Sequence, residues 1–141
     1  MKSFSRTPAS LFALAFGLIY LIVGILGFAI TGLHGFASMD GPRVFGLFMV
    51  NPLHNVVHLL LAAIWLAGAP RAGTAKLANL VIGGLLGLVT VLGFAHVLTF
   101  LGIHSLGDPD NFLHLATATL ALYFGSIGAD ALVLQPEEQL A

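Results

Sequence analysis

The stretch NPLHNVVH at residues 51–58 has a close counterpart, DPDNFLH, at residues 108–114. Each stretch begins with a capping residue followed by proline, an order that suits the cap and the first position of a helix. In each, an asparagine precedes a histidine by three positions: Asn55 precedes His58, and Asn111 precedes His114. Residues three apart share one face of a helix. The two stretches therefore predict two helices of the same design.

The segments around these helix starts are strongly apolar. The chain has 141 residues, of which 58% are hydrophobic and 8% charged. A bilayer core of about 30 Å needs roughly 20 apolar residues of helix, and four runs meet that length, at residues 8–31, 52–69, 77–100 and 109–134. We therefore predict an all-α polytopic membrane protein, whose four transmembrane helices form a single domain over residues 1–141.

The second half of the chain resembles the first half. When the third run is laid on the first, Gly17 matches Gly83, and ILGFA at 25–29 matches VLGFA at 91–95. When the fourth run is laid on the second, the two Asn-x-x-His pairs coincide. Two hairpins of the same orientation are related by an axis along the membrane normal. We predict two tandem parallel repeats, at residues 8–69 and 77–134.

The basic residues predict the orientation of the chain. Lys2 and Arg6 precede the first run and Arg71 and Lys76 occupy the second connection, whereas the other two connections contain only Arg43. Cytoplasmic segments carry an excess of lysine and arginine. We expect both termini in the cytoplasm, which puts all six histidines in the outer half of the protein.

The composition excludes several function classes. The chain has no cysteine, which excludes disulfides, iron–sulfur clusters and thiolate zinc sites. Five basic residues are too few for the basic surface that nucleic acids require. The sequence contains no serine–histidine–acid set, phosphate loop or dinucleotide fingerprint, so it does not favour an enzyme. The expected surroundings are the lipid bilayer and other membrane-protein subunits.

The histidines are the candidate functional residues. His54 and His58 share a helix face by their i,i+4 spacing, and His58 and His114 lie roughly 8–9 Å along their helices, at matching depth. His96 lies near the end of the third run. Three interpretations are open: hydrogen bonds that join the repeats, a ligand site, or proton relay with the outer aspartates.

In the ligand interpretation, a divalent metal or a heme-like tetrapyrrole is the cofactor. The metal ligands would be His54, His58, His114 and, secondarily, His96, because imidazole suits several transition metals. A tetrapyrrole would lie between His58 and His114, with Asn55 and Asn111 orienting the rings. The alternative function is a non-catalytic accessory subunit of a larger respiratory or photosynthetic membrane complex.

The quoted motifs also resemble a known family. NPLHNVVHLL at 51–60, followed by DNFLHL at 110–115, is similar to the bacterial four-helix membrane family catalogued as domain of unknown function 4383. The resemblance covers essentially the whole chain, and the Asn-Pro-x-His-Asn-x-x-His element is its most specific part. It implies a small multi-pass protein of the bacterial inner membrane with paired helices, and it implies no particular activity.

Overall fold

The computed structural model describes residues 7–127, which are mostly helical. They form four α-helices: α1 (Pro8–Thr31), α2 (Pro52–Gly68), α3 (Ala72–Phe94) and α4 (Pro109–Ser126). The helices α1 and α3, with mean hydropathies of 2.6 and 2.2, are long and apolar enough to cross a membrane. The connections add a short 3₁₀ helix at Thr99–Leu101 and two short strands, β1 (Arg43–Val44) and β2 (Phe48–Met49).

The helices α2 and α4 begin where the sequence signals predict. The side chain of Asn51 accepts a hydrogen bond from the backbone N–H of His54 at 2.9 Å. The side chain of Asp108 accepts one from the backbone N–H of Asp110 at 3.2 Å. Proline follows each cap, where its missing N–H is not needed. The predicted residues 128–134 of the fourth run lie outside the described residues, as do Lys2 and Arg6.

The bounds of α3 differ from the prediction at both ends. It begins at Ala72 rather than residue 77, so the connection after α2 is only three residues long. At its other end His96 adopts a positive φ of 60°. The backbone N–H groups of His96 and Val97 bond to the carbonyls of Gly93 and Leu92, both at 3.0 Å. This is a Schellman cap, and it ends α3 six residues before the apolar run ends.

The helices pack as two antiparallel pairs, α1 with α2 and α3 with α4. In each pair glycines of the first helix allow close approach of the second, as expected where small residues line an interface. The matching contacts are Gly17 with Leu66 and Gly27 with Asn55 in the first pair, and Gly83 with Leu122 and Gly93 with Asn111 in the second. The two pairs thus make the same contacts at corresponding positions.

A buried polar link joins the two pairs at one end of the helices. Asn79 of α3 is fully buried, and its oxygen accepts a hydrogen bond from the indole N–H of Trp65 in α2 at 2.9 Å. Its amide nitrogen donates to the carbonyl of Ala9 in α1 at 3.1 Å. Aromatic rings of Phe12 and Phe124 stack beside it, with centroids 5.0 Å apart. One asparagine therefore positions three helices.

A second polar link joins the connections at the opposite end. The amide nitrogen of Asn51 donates to the carbonyls of Ser38 at 2.9 Å and Phe100 at 2.7 Å. The predicted long loop between α1 and α2 contains an antiparallel hairpin, in which Val44 pairs with Phe48. At its tip Phe45 and Gly46 both have positive φ values. The sequence analysis does not predict this hairpin.

The glycine contacts can be tested by adding one methyl group. In Gly27→Ala and Gly93→Ala the new Cβ would overlap the side-chain oxygen of Asn55 or Asn111, so each change should lower stability by about 1–3 kcal/mol. Gly84→Ala is the matched control, since nothing lies within 4 Å of its Cβ. The measurement is thermal unfolding in detergent, followed by the fluorescence of Trp65, the only tryptophan. Equal melting temperatures for all three variants would refute the assigned contacts.

Candidate functional site

Three of the predicted histidines come together in the interior. His54 and His58 lie in the first two turns of α2 and His114 in the second turn of α4. They are 3%, 6% and 3% exposed. One ring nitrogen from each lies within 4.8 Å of the other two. We call these three residues the histidine cluster.

Two of the imidazoles are in direct contact. The Nε2 atoms of His54 and His58 lie 3.2 Å apart, and their ring planes are nearly perpendicular, at 89°. A proton shared between two neutral rings would require one ring to donate and the other to accept. The contact can be that hydrogen bond, or the two lone pairs can both point to one cation.

Several polar atoms around the cluster are buried and have no hydrogen-bond partner among the described residues. They are the Nδ1 atoms of His54 and His114 and the Oδ2 atom of Asp110. The buried hydroxyl of Tyr20 is close to the side chain of Thr117. The backbones of Met49 and Leu101 are close to His54, although its Nδ1 does not reach hydrogen-bond geometry with either. Buried polar atoms are usually paired, so three unpaired atoms around one cluster require an explanation.

Tyr20 and Asp110 are neighbours of the cluster that the sequence analysis did not single out. The ring of Tyr20, on α1, packs against His58 with centroids 4.8 Å apart. Asp110 precedes His114 by one helical turn, as His54 precedes His58. The similarity between the two halves of the sequence could have indicated Asp110 as a site residue, because aligning Asn55 with Asn111 also aligns His54 with Asp110. No sequence signal marks Tyr20.

Small cavities flank the cluster on two sides. One of about 80 Å³ is bordered by His54, His58 and Asp110, with apolar side chains of the hairpin around them. The other, of about 200 Å³, has His54 and His114 at its wall and is otherwise apolar. The cluster is therefore polar at its centre and enclosed by apolar side chains.

The other predicted site residues lie elsewhere. His96 is exposed and serves as the left-handed residue of the α3 cap, with its Nδ1 3.1 Å from the carbonyl of His104. Asn55 and Asn111 make their side-chain hydrogen bonds away from the imidazoles: the amide nitrogen of Asn55 donates to the hydroxyl of Thr31 at 3.0 Å and that of Asn111 to the carbonyl of Ser105 at 2.9 Å. Their amides face Gly27 and Gly93 on the neighbouring helices, because the asparagine faces of α2 and α4 form the helix-pair interfaces.

The spacing of His54 and His58 suits a single small cation. Two nitrogen ligands about 2.0–2.1 Å from a tetrahedral zinc ion lie about 3.3 Å apart. The 3.2 Å between the Nε2 atoms of His54 and His58 is close to that value. The ligand nitrogens of the three histidines lie up to 4.8 Å apart. For all three to bind one ion, the imidazoles must move closer together by up to roughly 1.5 Å. Small rotations about the side-chain bonds of the three histidines would supply such a shift.

Comparison with known proteins gives a family and no relative of known activity. The model of the family described as "Domain of unknown function (DUF4383)" matches residues 10–127. This range includes both Asn-x-x-His pairs and the whole histidine cluster. No curated protein and no solved structure matches the chain.

Proposed function

The chain belongs to the DUF4383 family, and from that premise we propose that it is a membrane protein that binds one divalent transition-metal ion through His54, His58 and His114. The observation that carries this proposal is the convergence of three buried imidazole nitrogens within 4.8 Å. Imidazole is a common ligand for zinc, copper, iron and nickel. The absence of cysteine leaves nitrogen and oxygen as the only strong ligand atoms of the chain.

Hydrogen bonding among neutral imidazoles explains the cluster less well. A proton between the Nε2 atoms of His54 and His58 joins only two of the three imidazoles and leaves Nδ1 of His114 without a hydrogen-bond partner among the described residues. A metal uses both Nε2 lone pairs and requires N–H at Nδ1. Ligating histidines commonly donate that N–H to a backbone carbonyl, and the nearby backbones of Met49 and Leu101 can accept it after a small movement.

A single ion also fits better than a tetrapyrrole. Two axial imidazoles must lie on opposite faces of a macrocycle, with the ring plane between them. The third imidazole of the cluster lies within 4.8 Å of the other two and would intrude on that plane. The larger adjoining cavity of about 200 Å³ is below the roughly 300–1,000 Å³ of ordinary small-molecule pockets.

The surface supports four membrane crossings. Large apolar side chains are exposed on all four helices, as lipid-facing surfaces require; examples are Ile22 on α1, Leu60 on α2, Val91 on α3 and Leu120 on α4. The 17 residues of α2 span about 26 Å, close to the bilayer core. Arg71 lies in the α2–α3 connection and Lys76 near the start of α3, so we propose that this end faces the cytoplasm of a bacterial inner membrane.

The matching contacts of the two helix pairs support a duplicated hairpin. Gly27 meets Asn55 as Gly93 meets Asn111, and the sequence offsets are 66 residues for the glycines and 56 for the asparagines. We propose that the two pairs descend from one hairpin and that the second has lost ten residues of loop. The histidine cluster then lies between the second helices of the two hairpins, with the ring centroid of His114 6.2 Å from that of His54 and 6.5 Å from that of His58.

An accessory-subunit role is the second proposal, and one observation favours it. The connections at the histidine end expose apolar side chains outside the helices, among them Leu33, Phe36, Phe45 and Leu106. Apolar side chains grouped at one end of a membrane protein form a surface that another subunit can cover.

The proposed topology predicts which connections can be labelled from outside. The chain has no cysteine, so single cysteines can report on accessibility. With a membrane-impermeant maleimide on spheroplasts, Asp40→Cys and Ser105→Cys should react, and Gly73→Cys should react only after permeabilisation. All three residues are exposed. Immediate labelling of Gly73→Cys would contradict the four-span orientation.

The proposed site predicts a defined metal content. The protein purified in mild detergent and equilibrated with Zn²⁺ should retain about one ion per chain, measured by elemental analysis. His58→Ala and His114→Ala should bind at least about 100-fold more weakly, since changes outside the ligand set already cost about 10–100-fold. His34→Ala and His96→Asn are controls, because both residues are exposed, and asparagine tolerates the left-handed backbone of His96.

The outcomes for the metal site are distinguishable. A wild-type protein that retains no Zn²⁺ contradicts the site, as do His58 and His114 variants with unchanged affinity. The melting temperature of the metal-free variants, read from Trp65 fluorescence, separates loss of ligation from loss of folding.

The accessory role predicts a stable heteromeric complex. At native expression and after gentle solubilisation, native mass spectrometry should find the chain in stoichiometric association with at least one other membrane protein. Charged substitutions at Phe45 and Leu106 should dissociate that complex, whereas Asp40→Lys should not. A lone monomer or homo-oligomer would refute this role and leave the metal site unaffected.

A further inference from the structure

Asp110 is a buried carboxyl group beside the histidine cluster. It is 2% exposed, and no described residue donates a hydrogen bond to its Oδ2 atom. The charged group that acts on it in the structure is a second carboxylate, Asp108, which repels an anion. An ionised carboxylate away from water is very unfavourable unless a cation pairs with it. The buried carboxyl group of Asp110 therefore either carries a proton or pairs with a cation, and the neighbouring acid cannot be that partner.

The backbone places Asp110 in a position equivalent to that of His54. Each lies four residues before a cluster histidine and one residue before the asparagine that faces a glycine. Both side chains, together with His58, border the cavity of about 80 Å³. One water molecule occupies about 30 Å³ in the liquid, so this cavity has room for an ion with at most one or two water molecules.

We propose that Asp110 is the anionic member of the site, a carboxylate that balances one charge of the divalent cation held by His54, His58 and His114. This inference rests on the proposed metal site. Three neutral imidazoles leave the full charge of a divalent ion in a region of low dielectric, where charge separation is most costly. A carboxylate halves that charge, and it favours a divalent ion such as zinc over monovalent copper, which prefers soft sulfur ligands.

The test compares Zn²⁺ affinities by competition with a chromophoric chelator in detergent. Asp110→Asn removes the charge at nearly constant shape and should weaken binding about 10–100-fold, the usual cost of changing a group that supports a metal ligand. Asp110→Glu keeps the charge and should lose less than the asparagine variant. Asp40→Asn is the matched control, because Asp40 is an exposed acid that does not border the cavity. The Zn²⁺ affinity of this variant should equal that of the wild type.

The stability of the metal-free protein separates the proposed role from a structural one. Without a cation Asp110 is an unpaired buried acid, so metal-free Asp110→Asn should melt at the same temperature as the wild type or higher. If the wild type binds Zn²⁺ and the Zn²⁺ affinity of Asp110→Asn is within twofold of the wild-type affinity, the inference is overturned and the histidine site stands. Equal weakening in both Asp110 variants, with a lower metal-free melting temperature, also overturns it. A wild type that does not bind Zn²⁺ overturns both proposals.

Discussion

Asn55 and Asn111 each place a side-chain amide against the backbone of a glycine in the neighbouring helix, and this contact fixes the rotation of α2 and α4. Successive residues of a helix are rotated by about 100°, so the positions one before and three after each asparagine share an adjoining face. Those positions hold His54 and His58 in α2, and Asp110 and His114 in α4. The contact that packs each helix pair thus also turns the ionisable side chains toward the interior.

Two further asparagines hold the helix pairs together. Asn79 joins three helices at one end through Trp65 and Ala9, and Asn51 joins both connections at the other end. Between apolar helices in lipid, burial of apolar surface provides no driving force, so small residues and interhelical hydrogen bonds determine the arrangement. In the proposed membrane setting, a few amides and glycines define the geometry, and the many leucines fill the space around them.

The local signals could be read from the sequence, and the long-range contacts could not. The Asn51-Pro52 and Asp108-Pro109 pairs define helix starts because capping acts within one turn. The end of α3 was missed because a histidine, rather than a glycine, adopts the left-handed conformation of its cap. The bond between Trp65 and Asn79 joins residues 14 positions apart on different helices, and no periodicity reveals it. The matching depths of the histidines along their helices predicted that His54, His58 and His114 lie together. The exposed position of His96, outside the cluster, depended on the α3 cap and could not be read from the sequence.

The β-hairpin between α1 and α2 covers one side of the histidine cluster. Its side chains Val44, Phe45 and Phe48 border the cavity that His54 and His58 also border, and its tip is highly exposed, with Phe45 at 79%. Its strands have only two residues each, so few backbone hydrogen bonds hold it closed. For the proposed ion, the rate of exchange with the surroundings would then depend on how often this cover opens, whereas the strength of binding depends on the imidazoles beneath it.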